Sequence, residues 1–378
     1  MFDDLEDDMS AQAADAFVRL VAGYFASTQT GDGPVSTPLT AAELARRFDE
    51  PMPRGRRPLA EVVASLERDV LPDSNHLCHP RSLGHEVSAP LPAAVWTDAL
   101  ISALNQSGAV WEMSPVGTVI ERRVIRWMCD LVGFGEEAGG AFTSGGTEAT
   151  FGGLLAARAI ALPDAWTRGT AGHRIAIVCG EHAHYSVERA VGQLGLGTEN
   201  IVVVPSRALA MRVDALEQTL GRLKEECRTV MAVVATAGTT ATGAFDDLDA
   251  IGNLCEQAGV WLHVDAAHGG SALLSPTHRW RLDGIARAQS IAWDPHKMML
   301  LPLTASMLLV ADERTLDAAY NQRAPYLFHR NGDGPSWDQG VRTFQCSRRL
   351  DAVKVWVALQ RYGADQLAAV YDHLCATA

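Results

Sequence analysis

A lysine closes the segment Asp294-Pro295-His296-Lys297, and an aspartate closes the largely apolar run Trp261-Leu262-His263-Val264-Asp265 upstream of it. A lysine amine held neutral by burial or by a neighbouring cation is a nucleophile toward aldehydes. A carboxylate behind an apolar run is costly to bury unless a cation meets it. A protonated pyridine nitrogen is such a cation. An amine for the aldehyde and a counter-charge for the ring nitrogen are what pyridoxal phosphate asks of a protein. Each residue also has an ordinary reading, since most lysines are solvated and an aspartate after a strand often caps the next helix. The small pair Ala266-Ala267, next to Asp265, favours close approach of a flat ring.

Other segments carry compatible chemistry. His296 precedes the lysine and is placed to contact a phosphate, with the apolar Met298-Met299-Leu300-Leu301 behind it. Thr143-Ser144-Gly145-Gly146-Thr147-Glu148-Ala149-Thr150 combines glycines, which let a backbone approach a phosphate, with hydroxyl donors and the start of a helix. By itself it is equally an N-capped helix. His182-Ala183-His184-Tyr185-Ser186 offers an imidazole to lie over a pyridine face, and Thr236-Ala237-Gly238-Thr239-Thr240 offers small and hydroxylic residues to a cofactor edge or to a tight turn.

The elements that must position these residues read as an α/β pattern. Short β-rich runs fall at Arg174–Cys179, Ile201–Val204, Val230–Ala235, Val260–Asp265, Ser290–Trp293 and Ser306–Ala311. Helical stretches lie between them near Glu148–Ile160, Tyr185–Leu194, Val213–Glu226 and Leu248–Ala258. Apolar strands joined by helical crossovers predict a mostly parallel sheet covered on both faces, which binds ligands beyond the carboxyl ends of its strands. Asp265 and Lys297 both sit near such ends. Upstream, helices are expected at Ala60–Val70, Ala93–Leu104 and Val119–Val132, and residues 1–75 read as helical segments broken by Thr30–Thr40 and Pro51–Pro58.

The composition is that of a globular chain: 378 residues, 47% hydrophobic and 20% charged, enough for one large domain with attachments. A net charge of −13 argues against nucleic acid or an anionic membrane as partner. No apolar run is long enough to span a bilayer and no signal peptide is evident. Seven scattered cysteines without C-x-x-C spacing suggest neither a disulfide framework nor a metal site, and fit a cytoplasmic setting.

Taken in order, His79-Pro80-Arg81, Ser144 to Thr150, His184-Tyr185-Ser186-Val187-Glu188-Arg189-Ala190, Ala237-Gly238-Thr239-Thr240, His263-Val264-Asp265-Ala266-Ala267 and Pro295-His296-Lys297 resemble the group II pyridoxal-phosphate-dependent amino-acid decarboxylases. That family includes glutamate, cysteine sulfinate, aromatic amino acid and 2,4-diaminobutyrate decarboxylases. The resemblance runs from about residue 70 to the end. It implies the aspartate-aminotransferase type of fold, a mostly parallel seven-stranded sheet flanked by helices, in a homodimer with shared active sites. It further implies an N-terminal helical dimerisation segment over residues 1–75 and a large cofactor-binding domain over 76–350. Lys297 would form the Schiff base, Asp265 would pair with the pyridine nitrogen and His184 would stack on the ring. Gly146, Thr147 and His296 would hold the phosphate, with Thr240 and Ala267 lining the cofactor. The stretch Asn105 to Pro115 resembles the part that reaches the neighbouring site. The implied reaction is decarboxylation of an L-amino acid to amine and CO2 through a quinonoid.

Two departures bear on that reading. Many family members carry a tyrosine on a mobile loop that protonates the quinonoid, and the corresponding segment His329–Asp338 has none. This opens the alternative of a decarboxylating aldehyde synthase, or leaves the proton to a histidine such as His184 or His329. The diaminobutyrate branch resembles this chain in that respect. The family also continues into a small C-terminal domain, whereas residues 351–378 read as the start of a helix leading to such a domain, so a non-catalytic cofactor-binding partner is a further alternative. Leu83-Gly84-His85-Glu86-Val87-Ser88 matches the family's substrate-lining stretch; His85 and Glu86 are the candidate substrate residues, and Glu86 would favour a cationic tail. A small polar or diamino acid is expected over an aromatic one.

Overall fold

The computed structural model describes residues 8–322, 324, 328 and 337–378. The chain divides into two compact units, 1–89 and 90–378.

The first unit is helical. Ala11–Gln29 is capped by the Ser10 hydroxyl, and Ala41–Arg47 begins with a reciprocal capping box between Thr40 and Glu43. Leu59–Ser65 runs on into a wider turn over Leu66–Val70, as the periodicity of Ala60–Val70 predicts. Arg81 ties the end of this unit to its middle by donating to the carbonyls of Gly31 and Gly33.

The second unit is built on a seven-stranded sheet. Its strands are β1 (Gly139–Thr143), β2 (Ile175–Gly180), β3 (Ile201–Val204), β6 (Thr229–Thr236), β7 (Trp261–Asp265), β8 (Ser290–Trp293) and β9 (Ser306–Val310); β4 (Ser206–Arg207) and β5 (Ala210–Met211) form a separate small hairpin. The order in the large sheet is β1-β9-β8-β7-β6-β2-β3. β9 is antiparallel to both its neighbours, β1 and β8, and the pairings from β8 to β3 are all parallel. β1 therefore points the same way as the parallel strands, and its last residue, Thr143, comes out at their carboxyl edge. β9, running back, starts at that edge, with Ser306 opposite Thr143.

Period-two alternation sends strand side chains to two cores. Ala176, Val178, Val233, Ala235, Leu262, Val264, Met307 and Leu309 join one, against the helices Pro115–Val132, Leu248–Ala258 and Ala352–Thr377. Ile175, Ile177, Ala232, Val234, Leu308 and Val310 join the other, against the helices Gly146–Ala161, Ser186–Gln193 and Arg314–Tyr320. Burial on both faces explains why these strands read as continuous apolar runs.

The expected strands and crossover helices lie within a few residues of their predicted bounds. Among the elements not foreseen are the helix Arg314–Tyr320, the edge strand and the small hairpin. Gly139–Thr143 is short and begins with two glycines, which hides it as a strand. Gly140 leaves no room for a side chain there: a Cβ would lie 2.2 Å from the Leu308 carbonyl oxygen. The two-residue hairpin strands carry no periodicity to detect. Among the described residues no helix is long and apolar enough to cross a membrane.

Candidate active site

Five strand ends at the carboxyl edge, those of β1, β2, β6, β7 and β8, deliver residues to one cavity of about 260 Å³, built entirely by the second unit. From β1 the chain turns through Ser144-Gly145 into the helix that opens with Gly146 and Thr147. β2 leads to His184, β6 to Gly238 and Thr240, β7 to Asp265 and Ala267, and β8 to Asp294, His296 and Lys297. The structure thus brings together all eight residues that the sequence suggested around a cofactor: Gly146, Thr147, His184, Thr240, Asp265, Ala267, His296 and Lys297. His85 and Glu86 belong to the first unit.

The local geometry is specific. Gly146 stands where a Cβ would come within 2.8 Å of Asp294 Oδ2 and 3.1 Å of the Ala267 Cβ, so only glycine gives this close approach at a helix N-terminus. The turn before it is braced by Glu148, whose Oε2 accepts from the Ser144 N–H at 3.0 Å, the Ser144 hydroxyl at 2.5 Å and Gln345 Nε2 at 2.6 Å. Gly238 adopts φ +88° with a would-be Cβ 2.9 Å from the Gly269 nitrogen, so the turn after β6 also depends on glycine. Asp246 fixes that turn by accepting from the Met211 and Thr236 amides, both at 2.7 Å; burial nonetheless pushes its carboxyl up.

Asp265 is buried at the end of β7, and its Oδ1 accepts from the Ala267 N–H at 3.2 Å. His184 Nδ1 accepts from the Ser186 N–H at 3.2 Å, which leaves the ring proton on Nε2 in the neutral form, and its ring packs 4.1 Å from that of Tyr185. His296 Nδ1 lies 2.7 Å from the Ala305 carbonyl oxygen, and burial lowers its pKa to about 4. Asp294 is 2% exposed. Its Oδ1 accepts from the Ser306 hydroxyl, while Oδ2 lies 3.8 Å from Lys297 Nζ and 3.6 Å from His296 Nε2. Burial pushes the Asp294 carboxyl up to about 7, opposed by Lys297 and the Ser306 hydrogen bond and reinforced by Asp265.

Sequence reasoning did not single out Asp294, Ser306, His268 or Leu303. Asp294 stood inside a quoted motif, but its significance depends on Ser306 returning antiparallel beside it. Leu303 and His268 line the cavity without a local motif to mark them. The segment His329–Ser336, with the tyrosine-free loop and His329, lies outside the described residues. Of its flank, Trp337 packs 5.3 Å from Trp111, and Asp338 Oδ1 accepts from the Trp111 N–H at 2.8 Å.

A lysine amine, a buried aspartate and a glycine-led helix start on one cavity define a site of the pyridoxal-enzyme class. The model of the pyridoxal-dependent decarboxylase conserved domain matches residues 42–378, and the chain belongs to that family. Among curated proteins, it is 36% identical over 311 residues to the acidic amino acid decarboxylase GADL1 of Mus musculus, covering 81% of this chain and 56% of that one. It is 34% identical over 335 residues to the L-2,4-diaminobutyrate decarboxylase of Acinetobacter baumannii, covering 82% and 65%. The chain thus spans less than two thirds of the length of these relatives. Among solved structures, it superposes on mouse CSAD with a TM-score of 0.89 at 31% identity, covering 97% of this chain and 78% of that one. Pyridoxal 5'-phosphate is the cofactor of this family, and the cavity's residues fit it: a reactive amine, a carboxylate for the ring nitrogen and a glycine cradle at a helix N-terminus.

Proposed function

We propose that this chain carries out decarboxylation of an L-amino acid to the corresponding amine and CO2. The observation that carries this is the meeting of Lys297, Asp265 and His184, from three different strand ends, on one cavity. Bound there, the cofactor supplies an electron sink for the bond broken at the substrate's α-carbon. Lys297 would hold it at its aldehyde carbon. Asp265 would keep its ring nitrogen protonated, and the burial of the carboxylate would make that charge pairing strong. His184 would cover the ring and, with Nδ1 accepting from Ser186, offers its Nε2 proton at the cavity wall. Gly146 and Thr147 would hold the phosphate at the helix N-terminus, and Thr240 and Ala267 would line the cofactor. His296, whose Nδ1 is held against the Ala305 backbone, would face the phosphate with Nε2. The protein's contribution is orientation and preorganised charge.

A small polar substrate with a second ionised group is the reading supported by the names of the relatives, which decarboxylate acidic amino acids or 2,4-diaminobutyrate. Glu86 is assigned to a cationic tail, with His85 beside it. The partner is a second copy of this chain in a soluble, cytoplasmic homodimer. Trp96, Leu100, Leu104, Val116 and Val119, all exposed on Pro92–Leu104 and Pro115–Val132, supply an apolar face for it. The absence of tyrosine from residues 329–338 supports a second reading, oxidative release of an aldehyde.

A panel of common amino acids, each assayed for CO2, amine, aldehyde and peroxide, tests both readings. Amine with equimolar CO2 is the expected result. Aldehyde with peroxide selects the second reading. A chain that takes up the cofactor but releases no CO2 from any amino acid rules out both and leaves a non-catalytic binding partner.

A further inference from the structure

Asp294 is the buried acid that the roles above leave unused. Its carboxyl group is fixed from two sides, by the Ser306 hydroxyl on β9 and by the Gly146 N–H, and this sets Oδ2 3.8 Å from Lys297 Nζ at the cavity wall. The charged and titratable groups that face it are Lys297 and His296 on its own segment and Asp265 from β7; His184 and His268 line the same cavity. Lys297 can attack an aldehyde only as the neutral amine, and its ammonium proton must go to an acceptor within reach.

We propose that Asp294 is the proton carrier for Lys297: Oδ2 takes the ammonium proton, and the resulting carboxylic acid returns it to the hydroxyl that leaves as water when the amine condenses with an aldehyde. The step balances without any other reagent. One N–C bond forms, the second joins as the C–O bond breaks, one water leaves, and nothing is oxidised or reduced. Burial and the neighbouring Asp265 charge hold the carboxyl near neutrality, where a group both accepts and donates protons efficiently. A purely structural Asp294, serving only to accept from Ser306 and Gly146, would leave the pH profile of the lysine's reaction unchanged when replaced by asparagine. The inference rests on the reading that Lys297 captures an aldehyde, and the test separates the two.

The full chain, freed of cofactor, is exposed to pyridoxal, which lacks the phosphate, and quenched with borohydride at intervals across pH 5–9 (about two units either side of neutrality, where a general acid–base group works best). Label on the Lys297 peptide is read by mass spectrometry. The unaltered chain is expected to label at a rate with an inflection near neutral pH. In Asp294→Asn the rate falls about a hundredfold or more, the lower end of what a general acid–base group contributes, and the inflection disappears. In Ser306→Ala, which keeps the carboxyl but removes a donor to its charged form, the inflection moves to higher pH. Equal rates and profiles for Asp294→Asn and the unaltered chain overturn the inference, as does an unmoved inflection in Ser306→Ala. No label at Lys297 in the unaltered chain overturns the assignment of the lysine itself.

Discussion

Two buried ionic clusters in this molecule are built on opposite plans. At the junction leading into the helix Ala352–Thr377, Arg348 meets Glu121 through two hydrogen bonds of 2.7 and 2.8 Å, and Glu121 also accepts from the Phe142 amide. Nearby, Lys354 is fully buried; it donates to the Thr304 carbonyl at 2.6 Å and pairs with Asp351 at 2.9 Å. At the end of β8, by contrast, Asp294 and Lys297 stand 3.8 Å apart on the wall of a cavity, and burial raises the Asp294 carboxyl to about 7. The first cluster joins charges at hydrogen-bonding distance with an arginine that cannot deprotonate, and so fixes helix to strand. The second keeps its charges at a separation where a proton can be lost or gained. Short, geometrically matched pairs serve architecture; a looser pair on a cavity wall leaves room for chemistry.

Removing the central residue of each cluster separates these roles. Lys297→Ala is expected to give the largest effect: no borohydride-stable cofactor adduct and no measurable amine release, with thermal melting of the cofactor-free chain little changed. A variant that still forms the adduct would place the reactive amine elsewhere. Arg348→Met is expected to cost about 3–5 kcal/mol of stability in denaturant unfolding, because Glu121 is left as an unpaired buried charge. The double variant Glu121→Gln, Arg348→Met should recover much of that loss, since the glutamine still accepts from Phe142; equal losses in single and double variants would mean that the pair's charge is not what matters. Gly146→Ala pushes a methyl toward Asp294 and should weaken cofactor binding by about tenfold, in keeping with overpacking costs of ~1–3 kcal/mol. Unchanged affinity would show that the helix start shifts without penalty.

The smallest expected effect is in the pH dependence of stability of the cofactor-free chain, because its contributions oppose one another. Asp294 is raised from 3.8 to about 7, so the folded chain holds the extra proton between those values. Its contribution is complete below about 4 and is lost as pH rises through about 7. Burial depresses His263 to about 3 and His296 to about 4 from 6.5, so their contributions are complete above 6.5 and are lost on acidification through those values. Asp294→Asn should therefore steepen the rise in stability from about pH 4 to 6.5 and abolish the decline near pH 7. Denaturant midpoints measured across that range check this, and an unaltered profile would place the titrating group elsewhere.

Much of the site was legible in the sequence because its parts are local. Gly146 and Thr147 follow a strand and open a helix, Asp265 ends an apolar run, and Lys297 follows a histidine; each arrangement carries its chemistry within a few residues. The parallel strands were legible for a related reason, since burial on both faces makes them short apolar runs. The edge strand Gly139–Thr143 was not, because its glycines answer to the backbone of β9 rather than to any local pattern. Asp294 was hidden for the same reason: burial and the Asp265 charge raise its carboxyl while Ser306 and Gly146 donate to it, and these partners lie on other elements.

The sequence by itself determined the alternation of strands and helices, the residue types at each strand end and the likeness to pyridoxal-dependent decarboxylases, because these follow from short-range pattern. The tertiary structure decided that β9 runs against its neighbours, that β1 therefore delivers the Ser144–Thr147 turn to the same edge as Asp265 and Lys297, and that Ser306 meets Asp294. Those outcomes depend on which strand lies beside which and in what direction, and strand pairing brings together residues too far apart in the chain for any local pattern to record.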